Sequence, residues 1–206
     1  MRTLIISALA PFILISCATP GQVAQESQDK FDSMTLESVK NCTQITDDKM
    51  SNTVKFNSQD CYTYVGGILR IRSSTDYFVR AFKDKTSGSV IYQVYTQLTS
   101  SNWSYPYSAS YLMPQADGKR ELKQVEGDRL SAGSDVSCSQ YGCTHYEHFT
   151  FPLEREYLRK LSENFDQLRA VSNSEDFRIF RKAEGDHDFI ININELVGVY
   201  RLVESY

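Results

Sequence analysis

The densest group of chemically capable side chains is Cys138-x4-Cys143-x-His145-x-Glu147-His148, five potential metal ligands within 11 residues. Two thiolates and two imidazoles form a zinc-binding set, and structural zinc sites pair their ligands at short spacing. A strand, however, puts His145 and Glu147 on one face and His148 on the other, so one ion would need a bulge or more distant ligands. Cys138 and Cys143 also flank Ser139-Gln140-Tyr141-Gly142, a four-residue loop between two strand-like runs. That spacing sets the two thiols opposite one another at a hairpin mouth, within reach of a disulfide. The expectation is therefore a stapled hairpin without metal or other cofactor. A metal-assisted hydrolase built on His145, Glu147 and His148, with a contribution from His187, is the alternative.

The remaining candidates are sparser. His187 lies between Asp186 and Asp188, where it could bind a cation or act as a base, although an acidic turn is ordinarily just solvated. Ser27-Gln28-Asp29-Lys30 fits S-x-x-K formally, but that chemistry needs a buried helix start, and here the surroundings are polar. No G-x-S-x-G, H-E-x-x-H, G-x-x-x-x-G-K-[ST] or G-x-G-x-x-G occurs. Acyl, phosphoryl and nucleotide chemistry all lack their usual residues, and no catalytic residue is assigned. What is left is binding. The segment from Ser101 to Tyr107 gathers Trp103, Tyr105 and Tyr107 in an uncharged, turn-forming setting. Exposed aromatics stack on sugar rings or anchor a protein partner, whereas a Trp103 turned inward would plug one end of a sheet.

The cysteine nearest the start carries a different chemistry. Arg2 precedes an apolar run from Leu4 to Ile15, 12 residues broken by Ser7 and Pro11. A helix needs about 20 apolar residues to span a bilayer, so this run has the length of a signal peptide, residues 1–16. Leu14-Ile15-Ser16-Cys17 resembles the lipobox of bacterial lipoproteins: an aliphatic residue, a small residue, then the cysteine. The resemblance covers about the first 17 residues. It implies a diacylglycerol thioether on Cys17, cleavage before it and acylation (palmitate) of the new amine. Two or more acyl chains anchor stably where one does not. With Ala18, not aspartate, after the cysteine, the resemblance implies an outer-membrane address facing the periplasm. Ser16-Cys17-Ala18 is also a small-x-small site, and cleavage after Ala18 would release a soluble protein instead. In either case Cys42, Cys61, Cys138 and Cys143 remain, an even number in an oxidising compartment. Four cysteines allow three pairings, of which the local pair Cys42–Cys61 and Cys138–Cys143 is the simplest.

These residues need a scaffold. Removing residues 1–16 leaves one domain's length of chain and, with Arg2 gone, moves the formal charge from −4 to −5. No basic run interrupts it, so nucleic acid is a poor partner; the candidates are the membrane, through the lipid, and an envelope protein or glycan. Residues 17–34 are polar and aperiodic and read as a tether, with a single β-rich domain over residues 35–206. The 13 tyrosines and 11 phenylalanines suit strands. Strand-like runs cover residues 68–72, 77–82, 90–98, 107–113, 121–125, 130–136 and 144–151. Val90, Tyr92, Val94, Thr96 and Leu98 alternate with Gln93 and Gln97, the pattern of a half-buried antiparallel strand. Two stretches break the β-pattern: Leu153 to about Leu168, with apolar residues every four positions after Pro152, and about 193–203, preceded by an Asn192/Glu195 variant of the capping box. Between them, Phe177–Phe180 and Asp188–Asn192 read as a hairpin turned by residues 184–187. The fold class expected is α+β, an antiparallel sheet or sandwich with two helices in the C-terminal half. The function expected is a lipid-anchored extracytoplasmic binding or envelope-assembly accessory, or a purely structural envelope lipoprotein.

Overall fold

The alternation along Val90–Ser100 becomes the centre of a six-stranded sheet, and every inward position from Tyr92 to Leu98 is buried. The computed structural model describes residues 28–61, 76–115 and 118–206. Within them the elements run α1 (Leu36–Cys42), β1 (Gln44–Asp47), β2 (Thr53–Asn57), β3 (Asp76–Asp84), β4 (Val90–Ser100), β5 (Pro106–Pro114), β6 (Arg120–Glu126), β7 (Asp128–Ser139), β8 (Gly142–Leu153), α2 (Arg155–Glu163), α3 (Phe165–Val171), β9 (Ser174–Arg181), β10 (His187–Asn192) and α4 (Ile193–Ser205). The strands form two antiparallel sheets, ordered β1-β2-β3-β4-β8-β7 and β10-β9-β5-β6. The α+β class and its antiparallel sheets are as expected. The signal segment, Cys17 and the run 68–72 lie outside the described residues.

The sheets face one another through aromatic rings. Phe151 of β8 meets Phe177 of β9 at 6.1 Å and Phe189 of β10 at 6.4 Å, and Tyr77 of β3 stacks on Phe189 at 4.2 Å. Such ring pairs add to the burial of the large apolar areas themselves. One residue, Gly127, separates β6 from β7 and carries the chain from one sheet to the other. A Cβ there would stand 2.2 Å from the Phe149 ring, so the corner needs the absent side chain. Helices close the core beside the sheets: Tyr157, Leu158 and Leu161 of α2 and Leu196, Val197, Val199 and Val203 of α4 are all buried. Gly198 in the middle of α4 lets α1 approach, since a Cβ would lie 2.7 Å from Val39.

Two helix expectations need correction. The stretch from Leu153 to Leu168 is not one helix. Leu153 ends β8, paired with Tyr92, and the helical residues split at Asn164 into α2 and α3. The four-residue period counted a strand residue that happened to fall in phase. At α4, Asn192 does cap, its Oδ1 accepting from the Asn194 N–H at 2.8 Å, but Glu195 does not complete a box. Its carboxylate turns into the core instead. Three elements had no strong local signature: α1, with a Thr35/Ser38 capping box, and the short strands β1 and β2. Residues 28–34, read as tether, end against the domain, with the Asn192 amide donating to the Phe31 carbonyl at 2.6 Å and Met34 buried.

Candidate functional site

The expected aromatic segment forms the link between β4 and β5, with Ser101–Tyr105 as loop and Pro106 and Tyr107 already in β5. Its conformation is imposed by a carboxylate. Glu147 sits on the inward face of β8 and is fully buried. Its Oε2 accepts from the Ser104 N–H at 2.5 Å and the Ser104 hydroxyl at 2.6 Å, and its Oε1 from the Tyr105 N–H at 3.1 Å. The Arg129 guanidinium of β7 completes the set with an ion pair to Oε1 at 2.8 Å. A buried carboxylate is costly unless paired and hydrogen-bonded, and here both oxygens are occupied.

A second carboxylate holds the other side. Glu184, in the β9–β10 turn, accepts from the Asn102 N–H at 3.0 Å and the Ser101 hydroxyl at 3.1 Å. The backbone of that turn adds Ala183 N–H to Ser104 O at 3.1 Å and Lys182 N–H to Tyr105 O at 3.3 Å. Between these anchors Tyr105 takes φ +53°, a left-handed conformation that costs a non-glycine residue about 1–3 kcal/mol. The consequence is display. Arg129 lies 4.8 Å from the Trp103 ring and 5.2 Å from the Tyr105 ring, and His145 meets Trp103 edge-on at 4.7 Å. Trp103 is half-buried, neither a core plug nor a free side chain, whereas Tyr105 and Tyr107 are 46% and 45% exposed. From Tyr107 the aromatic strip reaches Phe180 at 6.5 Å and then a shallow groove of about 590 Å³ on the outer face of the four-stranded sheet. Leu112, Leu122 and Ile190 line this groove, crossed by the Arg178–Asp188 ion pair.

The metal-site residues are not brought together. Cys138 and Cys143 form a disulfide, as do Cys42 and Cys61. His145 and Glu147 share a face, but Glu147 is engaged by Ser104, Tyr105 and Arg129. His148 points the opposite way, where its Nδ1 meets the Tyr95 hydroxyl. Among the described residues no three His, Cys, Asp or Glu side chains are placed to hold one ion. His187 bonds the Tyr77 hydroxyl through Nε2 at 2.6 Å, while Asp188 is held by Arg178 at 2.6 Å. Burial lowers the His187 pKa, with Arg181 adding to the effect and Asp188 opposing it.

Sequence reasoning found Trp103, Tyr105 and Tyr107 but missed Arg129, Glu184 and the role of Glu147. The available signal for Glu147 was a carboxylate in phase with Phe149 and Phe151, on a face that should be wholly apolar. No family model, curated protein or solved structure matches this chain.

Proposed function

We propose that this protein is an extracytoplasmic binding or envelope-assembly accessory, anchored by lipid at Cys17 to the periplasmic face of a bacterial outer membrane. It engages an envelope protein or glycan through Trp103, Tyr105, Tyr107 and Arg129. The observation that carries the reading is the clamping of an exposed aromatic loop by two carboxylates, with Tyr105 held in a left-handed conformation. Core packing does not require this, because the rings it presents are those left half-exposed. Fixing aromatic and arginine side chains before contact removes ordering cost from binding, and these residue types dominate interface energies. The lipid resemblance at Leu14–Cys17 supplies the address.

The test places a photoreactive residue at position 107 in cells and compares Tyr105→Ala with the unaltered protein. Loss of the crosslinks with unchanged thermal stability supports the site; a folded Tyr105→Ala protein that retains every crosslink removes it. In parallel, Cys17→Ser should leave the membrane fraction and lose the lipid mass. A variant that fractionates as wild type does would remove the anchor.

A further inference from the structure

The β7–β8 hairpin extends beyond the sheet that carries it. β4 ends at Ser100, opposite His145, so among the described residues the rows Ser137/Thr144, Cys138/Cys143 and Ser139/Gly142 form a two-stranded ribbon with no third strand beside it. Three rows amount to a projection of about 10 Å. At its base the ladder is interrupted: residues 131–134 of β7 loop out opposite Glu147, between the Leu130/His148 and Asp135/Tyr146 pairs. Ser134 closes this bulge, its hydroxyl donating to the Leu130 carbonyl at 2.6 Å and accepting from the His148 N–H at 3.2 Å. Bulges of this kind bend a strand and re-aim what lies beyond them.

The ribbon's tip is uncharged: from Val136 to Thr144 there is no Asp, Glu, Lys or Arg. All of β7 from Asp135 to Ser139 is exposed, Val136 is 43% exposed, and Tyr141 at the apex is 91% exposed. Cys138 and Cys143 are exposed as well, so their disulfide cross-links the tip and touches none of the core. A staple placed there fixes the shape of the tip more than it holds the domain together. The apex Ser-Gln-Tyr-Gly combines one rigid, amphipathic ring with small adaptable hydrogen-bonding groups, the chemistry of preorganised paratopes.

We infer that this stapled ribbon is a contact element that inserts Tyr141 into a concave, uncharged cleft of a partner protein. The inference rests on the binding reading above and narrows its partner to a protein. A convex tip calls for a concave acceptor. The absence of cationic side chains disfavours nucleic acid and anionic headgroups. Val136 and Tyr141 are its only large apolar side chains, too little apolar area to hold a bilayer, while serine, glutamine and threonine suit a polar-rimmed protein cleft. Trp103 packs on His145 at the ribbon's base, so the aromatic loop adjoins the foot of the ribbon.

The experiment uses the full-length chain in its native membrane, with a photoreactive residue at Gln140 in one strain and at Tyr107 in another. A captured protein is identified by mass, purified, and its affinity for the full chain measured. The expected result is capture from Gln140 of a different protein, with at least tenfold weaker binding for both Tyr141→Ala and the Cys138→Ser/Cys143→Ser pair, and an unchanged melting temperature for Tyr141→Ala. Capture from Tyr107 without capture from Gln140 overturns the ribbon's role and leaves the binding reading standing. Capture of neither protein nor glycan from either position overturns both. Lipid or a second copy of this chain at Gln140, or full affinity in Tyr141→Ala, also overturns the inference.

Discussion

Glu195 and Glu147 are both fully buried carboxylates that accept from a serine hydroxyl and a backbone N–H, yet they hold different things. Glu195 on α4 accepts from the Ser58 hydroxyl at 2.5 Å and the Val79 N–H at 2.9 Å, joining a helix to the segment after β2 and the centre of β3. Glu147 accepts from Ser104 and Tyr105 and joins a core strand to a loop whose rings face solvent. The first makes the core one body, and the second makes part of the surface as rigid as the core. The contrast teaches that burial of a charge does not by itself say what the charge is for. What it orders decides that.

The largest effect expected is from Glu195→Ala. Glu195→Ala removes two hydrogen bonds to a charged acceptor, each worth about 1.5–3 kcal/mol, and leaves Ser58 and Val79 short of a partner inside the core. Urea unfolding should show a large fall in midpoint or no folded protein. A loss below about 1 kcal/mol would mean that the network is not what joins α4 to the sheet.

Glu147→Ala should cost less, about 2–3 kcal/mol, because its cation, Arg129, is about one-third exposed and can turn to water. Its signature is local: the sole tryptophan, Trp103, should shift its fluorescence towards that of a solvated ring while far-UV circular dichroism is unchanged. A cost equal to that of Glu195→Ala would erase the contrast and make the loop part of the core.

The two disulfides repeat the comparison at smaller scale. Cys61 is buried near the α1 end of the core, and the Cys42–Cys61 bridge spans 19 positions, which loop entropy values at about 3 kcal/mol. Cys138–Cys143 spans 5 positions at an exposed tip and should give about 2 kcal/mol or less. Serine pairs measured by thermal unfolding should rank in that order. The reverse ranking would show that the ribbon is coupled to the core.

The smallest effect is a slope with pH. Because burial lowers the pKa of His187 below its usual 6.5, the unfolded chain takes up a proton before the folded one does. The stability this group contributes is present above pH 6.5 and is lost as pH falls from there through the folded value. His187→Gln, which can still hydrogen-bond the Tyr77 hydroxyl, should flatten the slope below pH 6.5 relative to wild type. An identical slope in the variant would assign the acid sensitivity elsewhere.

What neighbouring residues encode between them was legible along the chain. Period-two alternation marked β4, the four-residue gap between Cys138 and Cys143 marked a hairpin and favoured one of three disulfide pairings, and the opposite faces of Glu147 and His148 followed from strand geometry. The sequence also singled out Trp103, Tyr105 and Tyr107 as an aromatic surface. What holds that surface in place depends on contacts between residues far apart in the chain. Glu147 reaches Ser104 across 43 positions, Glu184 reaches Ser101 across 83, and Ser58 reaches Glu195 across 137. A carboxylate carries the same local signal whether it meets water or a distant N–H, because the partner that makes its burial tolerable comes from another strand. For the same reason the four-residue period ran through Leu153, which pairing with Tyr92 makes a strand residue, and the capping pattern at Asn192 misread Glu195, which the sheet draws inward.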